Sequence, residues 1–417
     1  MRSRGKQRRK AWLAPWVATA SVAALAACAS TGGGSSSSGG AVSAGGGSTY
    51  TIHAIVSETG SDSFLGVEEK AALLALAKHV NATGGIGGKK LAFDVSDNQS
   101  TASTSVSLAS PLLSQSPVLL VGSVTSVDRP VDDLVNSNGP VIYDLSPGDH
   151  PKLGGYVYST SNSTVNQTKA FINFVKSKGW TRVAAITSTD SSGQDGWENI
   201  QKAAAGSGGA VKVVSHQTFD PSDVSVTTQL SKIKAANPQA LFIWTTGTPL
   251  TTVLKGMQSL GLSGMPTLTT NGNASFKELS SLSSDLPSQL YFPGAPFMVG
   301  AAHLTGQTKT QVQAFDTAIK ASGQTAPDEG DALAYDPGLI LVSALRKLGT
   351  GASAQQIHDY ISGLTSFQGI DGTYDFKASQ PDNRGLTIKD VYVAEWNKSA
   401  QDWTAASGPA GQALSTP

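Results

Sequence analysis

The sequence of 417 residues predicts an α/β protein of two lobes, each a mostly parallel sheet flanked by helices. Short apolar, β-branched runs alternate with segments of helical spacing, which is typical of parallel sheets covered by helices. The order helix, Gly-Gly, strand, helix, Pro, strand occurs twice, at 67–121 and at 197–244. A chain of this length also exceeds one ordinary hydrophobic core, so two domains are expected.

The N-terminus has the pattern of an export signal. Six basic residues and no acidic one fall in residues 1–10, and the apolar stretch 11–27 follows. The only cysteine, Cys28, comes after Leu25-Ala26-Ala27, which resembles a bacterial lipobox and implies a lipidated mature N-terminus. An ordinary signal peptide or a membrane helix is the alternative. Residues 28–49 are rich in Gly and Ser, which predicts a flexible tether between the lipid and the folded part.

Composition narrows the function classes. Outside residues 1–27 the chain carries 24 Lys and Arg against 30 Asp and Glu, a net charge of about −6, so nucleic-acid binding is not expected. A single cysteine allows no intrachain disulfide and no CxxC metal site, and no metal or cofactor is predicted. No later apolar run approaches the ~18 residues of a membrane helix.

One strand–turn–helix junction stands out as a candidate ligand site. Val118 to Val121 forms a short apolar run, Gly122 ends it, and Thr125 and Ser126 precede a segment of helical spacing. Open α/β sheets bind ligands at such junctions, where unpaired helix N–H groups favour anions. Ser126 could add a hydroxyl to a ligand carboxylate, and Ser126→Ala would then weaken binding by about 1–3 kcal/mol. Alternatively, Ser126 only caps its own helix.

Six motifs occur in order along the chain and together cover about residues 50 to 398. They are Asn81 to Ser100 (NATGGIGGKKLAFDVSDNQS), Gly122-x-x-Thr125-Ser126, Ser146-Pro147-Gly148, Gly272-Asn273-Ala274-Ser275, Ala334-Tyr335-Asp336 and Gly372-x-Tyr374-x-Phe376. Through these motifs the chain resembles the substrate-binding lipoproteins of branched-chain amino acid ABC transporters, which have the type I periplasmic-binding-protein fold. The resemblance implies a Venus-flytrap fold with three hinge crossovers, placed near 159–163, 291–296 and 366–369. Lobe 1 would comprise 50–161 and 297–366, and lobe 2 would comprise 162–296 and 367–417.

The resemblance also implies the ligand site. Ser126 matches the serine that holds the ligand carboxylate, and Thr125 lies beside it. The other positions expected at the site are Phe64, Leu65, Ser146, Gly148, Asp149, His150, Ser192, Gly193, Thr246, Gly247, Asn271 and Tyr335.

The family's ammonium-binding glutamate is missing from this sequence. Its position holds Thr270 or Asn271, with no carboxylate nearby along the chain. A buried ammonium without a carboxylate partner carries a desolvation cost. Either another acid replaces the glutamate, or the ligand is a carboxylate, amide or other small polar compound rather than an α-amino acid. The sequence favours the second alternative, a ligand that is not an α-amino acid. The candidate acids are Asp149, Asp190, Asp195 and Asp336. An aspartate in such a position more often lies at the surface or caps a helix than binds a ligand.

The resemblance therefore implies a monomeric protein anchored to the outer face of the cell membrane that delivers a small solute to an ABC permease. A ligand-sensing co-receptor with the same fold is the alternative. A hydrolase is the least favoured interpretation, because the sequence contains neither GxSxG nor HExxH.

Overall fold

The computed structural model describes residues 48–135, 137–324, 327–377 and 382–414. The predicted signal peptide, Cys28 and most of the predicted tether lie outside these residues. The first strand begins at Thr49, the last residue assigned to that tether.

The first sheet has five parallel strands. They are β1 (Thr49–Val56), β2 (Lys90–Asp97), β3 (Val118–Val121), β4 (Val141–Asp144) and β5 (Val157–Ser159), in the order β2-β1-β3-β4-β5. Every residue of β3 and β4 is buried, which explains why β3 and the first three residues of β4 are continuous runs of apolar and aromatic residues rather than alternating patterns. Helices α1 (Ser63–Ala82), α2 (Ala102–Leu112) and α3 (Thr125–Asp132) connect these strands.

The second sheet has seven strands and mixed direction. They are β6 (Arg182–Ser188), β7 (Lys212–Phe219), β8 (Ala240–Trp244), β9 (Thr267–Thr269), β10 (Leu290–Gly294), β13 (Tyr392–Asn397) and β14 (Asp402–Ala405), in the order β14-β13-β10-β9-β8-β6-β7. Strands β6 to β10 are parallel, whereas β13 and β14 pair antiparallel at one edge. The helices within this part are α4 (Thr164–Ser177), α5 (Ser191–Gly206), α6 (Thr227–Ala235), α7 (Thr248–Ser259) and α8 (Phe276–Ser281).

Three helices late in the chain belong with the first sheet. They are α9 (Gly306–Ala321), α10 (Glu329–Leu348) and α11 (Ala354–Ser362); α9 and α10 pack against α1, and α11 packs against β4. A short hairpin of β11 (Phe367–Gln368) and β12 (Thr373–Tyr374) then leads to β13. The chain thus passes between the sheets after β5, after β10 and after α11. We call the first sheet with its helices the first lobe, and the second sheet with its helices the second lobe. The predicted α/β fold of two lobes is confirmed.

Local details differ from the sequence prediction. The sequence places Pro111 inside a segment of helical spacing, which predicts a kink or a late start, but α2 begins at Ala102 and Pro111 is its penultimate residue. There its missing N–H affects only the last turn. The sequence of residues 388–396 predicts one strand, yet Ile388–Asp390 is a 3-10 helix and β13 begins at Tyr392. The Asp390 carboxylate accepts from the Thr387 backbone N–H at 2.9 Å, which favours the helical turn over the strand.

None of the helices in the described residues is long and apolar enough to cross a membrane.

Candidate ligand-binding cleft

A small cavity lies between the lobes at the carboxyl ends of the parallel strands, the usual ligand position in open α/β sheets. Its volume is about 20 Å³, enough for one water molecule, so the lobes are closed on each other. It is lined by Leu65, Ser123, Val124, Thr125, Ser146, Pro147, Gly148, Thr164, Ser192, Asp195, Trp244, Thr246, Thr270, Gly272 and Leu333. Hydroxyl side chains dominate this lining.

The first-lobe wall is built around the start of α3. Val124 occupies the N-cap position and cannot cap the helix with its side chain, so the first backbone N–H groups have no side-chain partner there. Thr125 is buried, and its Oγ1 lies 2.7 Å from Ser146 Oγ. Ser126 is the second helical residue, so it is not the cap. Its side chain is exposed and lies outside the cavity lining.

A buried glutamate supports this wall from behind. Ser123 Oγ donates to Glu69 Oε2 at 2.5 Å and accepts from the Ser57 backbone N–H at 3.2 Å. Burial raises the pKa of Glu69 to about 8, with the Ser123 hydrogen bond opposing that shift. At neutral pH the Glu69 carboxyl therefore favours its protonated form.

The loop after β4 is fixed from the hinge by Arg384. This fully buried guanidinium donates to the backbone carbonyls of Asp149, Pro147 and Thr160, and its Nε lies 3.4 Å from Asp382 Oδ2. Burying a charged guanidinium is costly, and this cost is offset here because carbonyls and a carboxylate accept hydrogen bonds from its N–H groups. The sequence interpretation missed Arg384, which lies 235 positions or more from the loop residues that it binds through Nη2.

Asp149 and His150, expected at the site, border a different groove. Asp149 Oδ1 accepts from Arg129 Nε at 3.2 Å, while Arg129 Nη2 donates to the Gly148 carbonyl at 3.0 Å. Asp149 and His150 line an open surface groove of about 600 Å³ on the first lobe. His150 nevertheless reaches across the lobe boundary, where its Nε2 lies 2.8 Å from Asp195 Oδ1.

The second-lobe wall comes from the ends of β6 and β8. Ser192, Trp244 and Thr246 line the cavity, whereas the Gly193 N–H donates to Asp190 Oδ1 at 2.8 Å as part of the α5 cap. Gly247 lies at the rim with φ +75° and ψ −145°, a conformation accessible to glycine. A Cβ there would lie 3.1 Å from the Ser61 carbonyl oxygen and 3.2 Å from Phe64 Cε1.

Asn271, one of the two residues that the resemblance places at the family's glutamate position, faces a buried carboxylate. Its Nδ2 donates to Glu329 Oε1 and lies 3.2 Å from Ser161 Oγ. Burial raises the pKa of Glu329 to about 7, against the hydrogen bonds from Asn271 and Ser161. Tyr335, also expected at the site, packs against Phe315 with ring centroids 4.7 Å apart. None of Asn271, Glu329 and Tyr335 is among the described residues that line the cavity.

Of the 14 ligand-site residues expected from the sequence, six line the cavity: Leu65, Thr125, Ser146, Gly148, Ser192 and Thr246. The lining residues absent from that expectation are Ser123, Val124, Pro147, Thr164, Asp195, Trp244, Thr270, Gly272 and Leu333. The sequence suggests Asp195 only as a replacement acid, and it predicts Trp244, at the end of an apolar run, to lie in the core. The run of polar residues 159–164, which leads into α4, could have indicated Thr164 as a site residue. No such signal exists for Leu333, because α10 is buried on all sides and its apolar periodicity does not distinguish the face that meets the cavity.

In the described residues, no group of His, Cys, Asp and Glu side chains has the arrangement of a metal site. Two lobes, parallel strands ending at a shared cleft and a hydroxyl-rich lining define a binding protein of the Venus-flytrap class. The family model described as periplasmic binding protein matches residues 49–401, and the chain belongs to this family. The family consists of solute-binding proteins, which are not enzymes.

Solved structures show the same fold at low sequence identity. One Rhodopseudomonas palustris protein, Rp1789, is 20% identical with a TM-score of 0.75, covering 86% of this chain and 100% of its own. The branched-chain amino acid transporter substrate-binding protein LivJ from Streptococcus pneumoniae, in complex with isoleucine, is 18% identical with a TM-score of 0.70, covering 86% and 98%. An R. palustris ABC transporter solute-binding protein in complex with benzoate is 16% identical with a TM-score of 0.72, covering 88% and 98%. Among curated proteins, no sequence matches the chain.

Proposed function

We propose that the protein captures a small polar solute, an amino acid, carboxylate or amide, between its lobes and delivers it to an ABC importer. The observation that carries this proposal is the hydroxyl-lined cavity at the facing carboxyl ends of two parallel sheets. Binding would close the lobes around the solute and release would open them, with no bond made or broken.

A ligand carboxylate fits best at the start of α3. The uncapped first turn offers backbone N–H groups to an anion, and Thr125 and Ser146 add hydroxyls on the same wall. The Ser146–Gly148 backbone is held nearby through Arg129 and Arg384. Isoleucine and benzoate, the ligands named for two structural neighbours, both carry a carboxylate.

The N-terminal sequence completes the proposal. Export and lipidation at Cys28 would leave a monomeric binding protein on a Gly/Ser tether at the outer face of the cell membrane. This position would keep the solute close to its permease. Mass spectrometry of the membrane fraction would detect a diacylated Cys28, and a Cys28→Ser variant should appear in the soluble fraction instead.

The test of solute binding is a thermal-shift screen of residues 30–417. Amino acids, their deaminated acids, amides, aromatic acids and polyamines would be screened. A ligand at 100 times its Kd adds about 2.7 kcal/mol to the folded state, so a true ligand raises the melting temperature. Calorimetry would then confirm one site per chain. Absence of any stabilising compound in all these classes would contradict the proposal.

Delivery to an importer needs a separate measurement. Uptake of the labelled ligand by cells lacking this protein should fall, and the intact chain should restore it. Unchanged uptake together with a lost transcriptional response to the ligand would instead identify a sensing co-receptor.

A further inference from the structure

Asp195 is the only charged side chain among the described residues that line the cavity between the lobes. It lies in the first turns of α5 in the second lobe, and its side chain is 11% exposed. The remaining lining is made of hydroxyl, apolar and backbone groups. A carboxylate in so small a closed space needs donors for both of its oxygens.

Only one of its oxygens has donors. Oδ1 accepts from His150 Nε2 at 2.8 Å, across the lobe boundary, and from Asn199 Nδ2 at 2.9 Å on its own helix. Oδ2 is buried and has no hydrogen-bond partner within the part of the chain that the structure describes. The hydrogen bonds to Asp195 and Asp382 raise the pKa of His150 to about 9, so the imidazole is charged and donates.

The other acids considered from the sequence already serve structural purposes. Asp190 caps α5 and accepts from Ser188 Oγ at 2.7 Å. Asp336 accepts from the backbone N–H groups of Ile370 and Asp371 at the third crossing between the lobes. Asp149 borders the surface groove rather than the cleft. Asp195 is therefore the one candidate that meets the ligand cavity.

We propose that Asp195 accepts a hydrogen bond from an ammonium or other cationic N–H group of the ligand and thereby sets the specificity of the cleft for amine-bearing solutes. This inference rests on the proposed function. It gives the carboxylate that the sequence lacks near Asn271, but from a different element, helix α5. It also reverses the sequence-based preference for ligands without an amine.

The two oxygens of the Asp195 carboxylate can serve different partners, Oδ1 the protein and Oδ2 the ligand. His150 and Asn199 occupy Oδ1, so a ligand donor at Oδ2 would not have to displace the link between the lobes. A charge-assisted hydrogen bond in a buried site is stronger than one between neutral groups. A solute with a carboxylate for the α3 wall and an ammonium for Asp195 would span the cleft and hold both lobes together.

The experiment uses matched pairs of compounds on the chain from residue 30 onward. Calorimetry would compare L-isoleucine with 3-methylpentanoate, and L-phenylalanine with 3-phenylpropanoate. Wild type should bind the amine-bearing member at least about tenfold more tightly. Asp195→Asn keeps the shape but removes the charge, and it should erase that preference while changing the affinity for the acids by less than about threefold.

His150→Gln is the matched control, because it removes the positive charge from the cross-lobe link and leaves Asp195 intact. The amine preference should survive in this variant. The assignment would be overturned if Asp195→Asn lost equal affinity for both members of a pair, or if His150→Gln lost the amine preference to the same extent as Asp195→Asn. Either result would show that the substitution affects only lobe closure. Wild-type binding of the acids alone would also overturn it while leaving the proposed function standing. Failure of wild type to bind any compound of the wider screen would reject the proposed function itself.

Discussion

Thr125 and Ser126 carry the same functional group one position apart, yet only Thr125 meets the cavity. The start of α3 decides this difference. With Val124 as the N-cap, Thr125 is buried beside Ser146, and Ser126 turns to the exposed side of the helix. The carboxylate role that the resemblance gives to Ser126 is therefore better suited to Thr125 in this chain.

A pair of variants tests this choice. Thr125→Val keeps the shape of the side chain and removes the hydroxyl, so affinity for a carboxylate ligand should fall by about 1–3 kcal/mol. Ser126→Ala should change affinity by less than about 0.5 kcal/mol. Titration calorimetry with the best ligand of the screen measures both. The opposite ranking would return the carboxylate to Ser126.

The sequence predicted the strand–turn–helix junction at the start of α3 but not which of its hydroxyl residues lines the cavity. A strand, a glycine and a run of hydroxyls located the first-lobe wall within a few positions. Which hydroxyl points inward depends on where the first helical turn begins, and local sequence leaves that uncertain by one or two residues. Glu329, which engages Asn271, is 58 positions away along the chain, so only the fold could bring the two together.

Helix α5 is pressed against Trp244 through a glycine. A Cβ on Gly196 would overlap the Cδ1, Cγ and Nε1 atoms of that indole. Trp244 is buried at the end of β8 and also lines the cavity, so the position of α5 and the shape of the second-lobe wall are set by one contact. Asp195 and Ser192 lie on the same helix and depend on that position.

The same helix offers a matched comparison. Gly196→Ala should destabilise the protein by about 1–3 kcal/mol, because the extra methyl overpacks the contact, and it should also weaken ligand binding. Gly206→Ala has no atom within 4 Å of its new Cβ and should be neutral or stabilising by up to about 1 kcal/mol. Urea denaturation of both variants measures the difference. Equal stability of the two would show that α5 can shift freely.

Elements with strong local signals were the most predictable. The long helices and the buried strands β3 and β8 follow from their apolar patterns and flanking glycines. Short elements such as β5 and β11, and the 3-10 turn at Ile388–Asp390, were not predicted from the sequence. Their pairing partners and capping contacts come from the packed structure, and three residues carry too little periodicity to identify a strand.

At the scale of the molecule, buried acids far outnumber buried bases among the residues that the structure describes. Arg384 is the only Lys or Arg that is fully buried in the described residues. Burial raises the pKa of several carboxyls, to about 8 for Glu69, about 7 for Glu329, and about 6 for Asp62, Asp328 and Asp336. These groups favour the protonated form when the protein is folded.

The consequence is a protein that is more stable in mild acid than in mild base. The unfolded chain releases these protons near pH 4, whereas the folded chain holds them until about pH 6 to 8. Each such group therefore lowers the free energy of unfolding by at most about 1.4 kcal/mol per pH unit between its two pKa values. The raised pKa of His150 acts in the same direction, because its stabilisation is complete below its ordinary value and is lost as pH rises towards about 9.

Urea denaturation at about pH 5 and about pH 8 measures this effect. Stability should be higher at the lower pH. Glu69→Gln removes one of the titrating groups, so its stability should fall less steeply between these pH values. Equal or greater wild-type stability at the higher pH would contradict the prediction.

The path of the chain has a consequence for biosynthesis. Tyr291 in β10 pairs with Glu395 in β13, and α9, α10 and α11 of the first lobe are made between them. Neither lobe corresponds to one uninterrupted segment. Until the C-terminal strands are synthesised, the outer edge of β10 has no neighbour, and open strand edges are where chains aggregate. During translation the first lobe can therefore be completed only after α11 has been synthesised, and the second lobe only after β14.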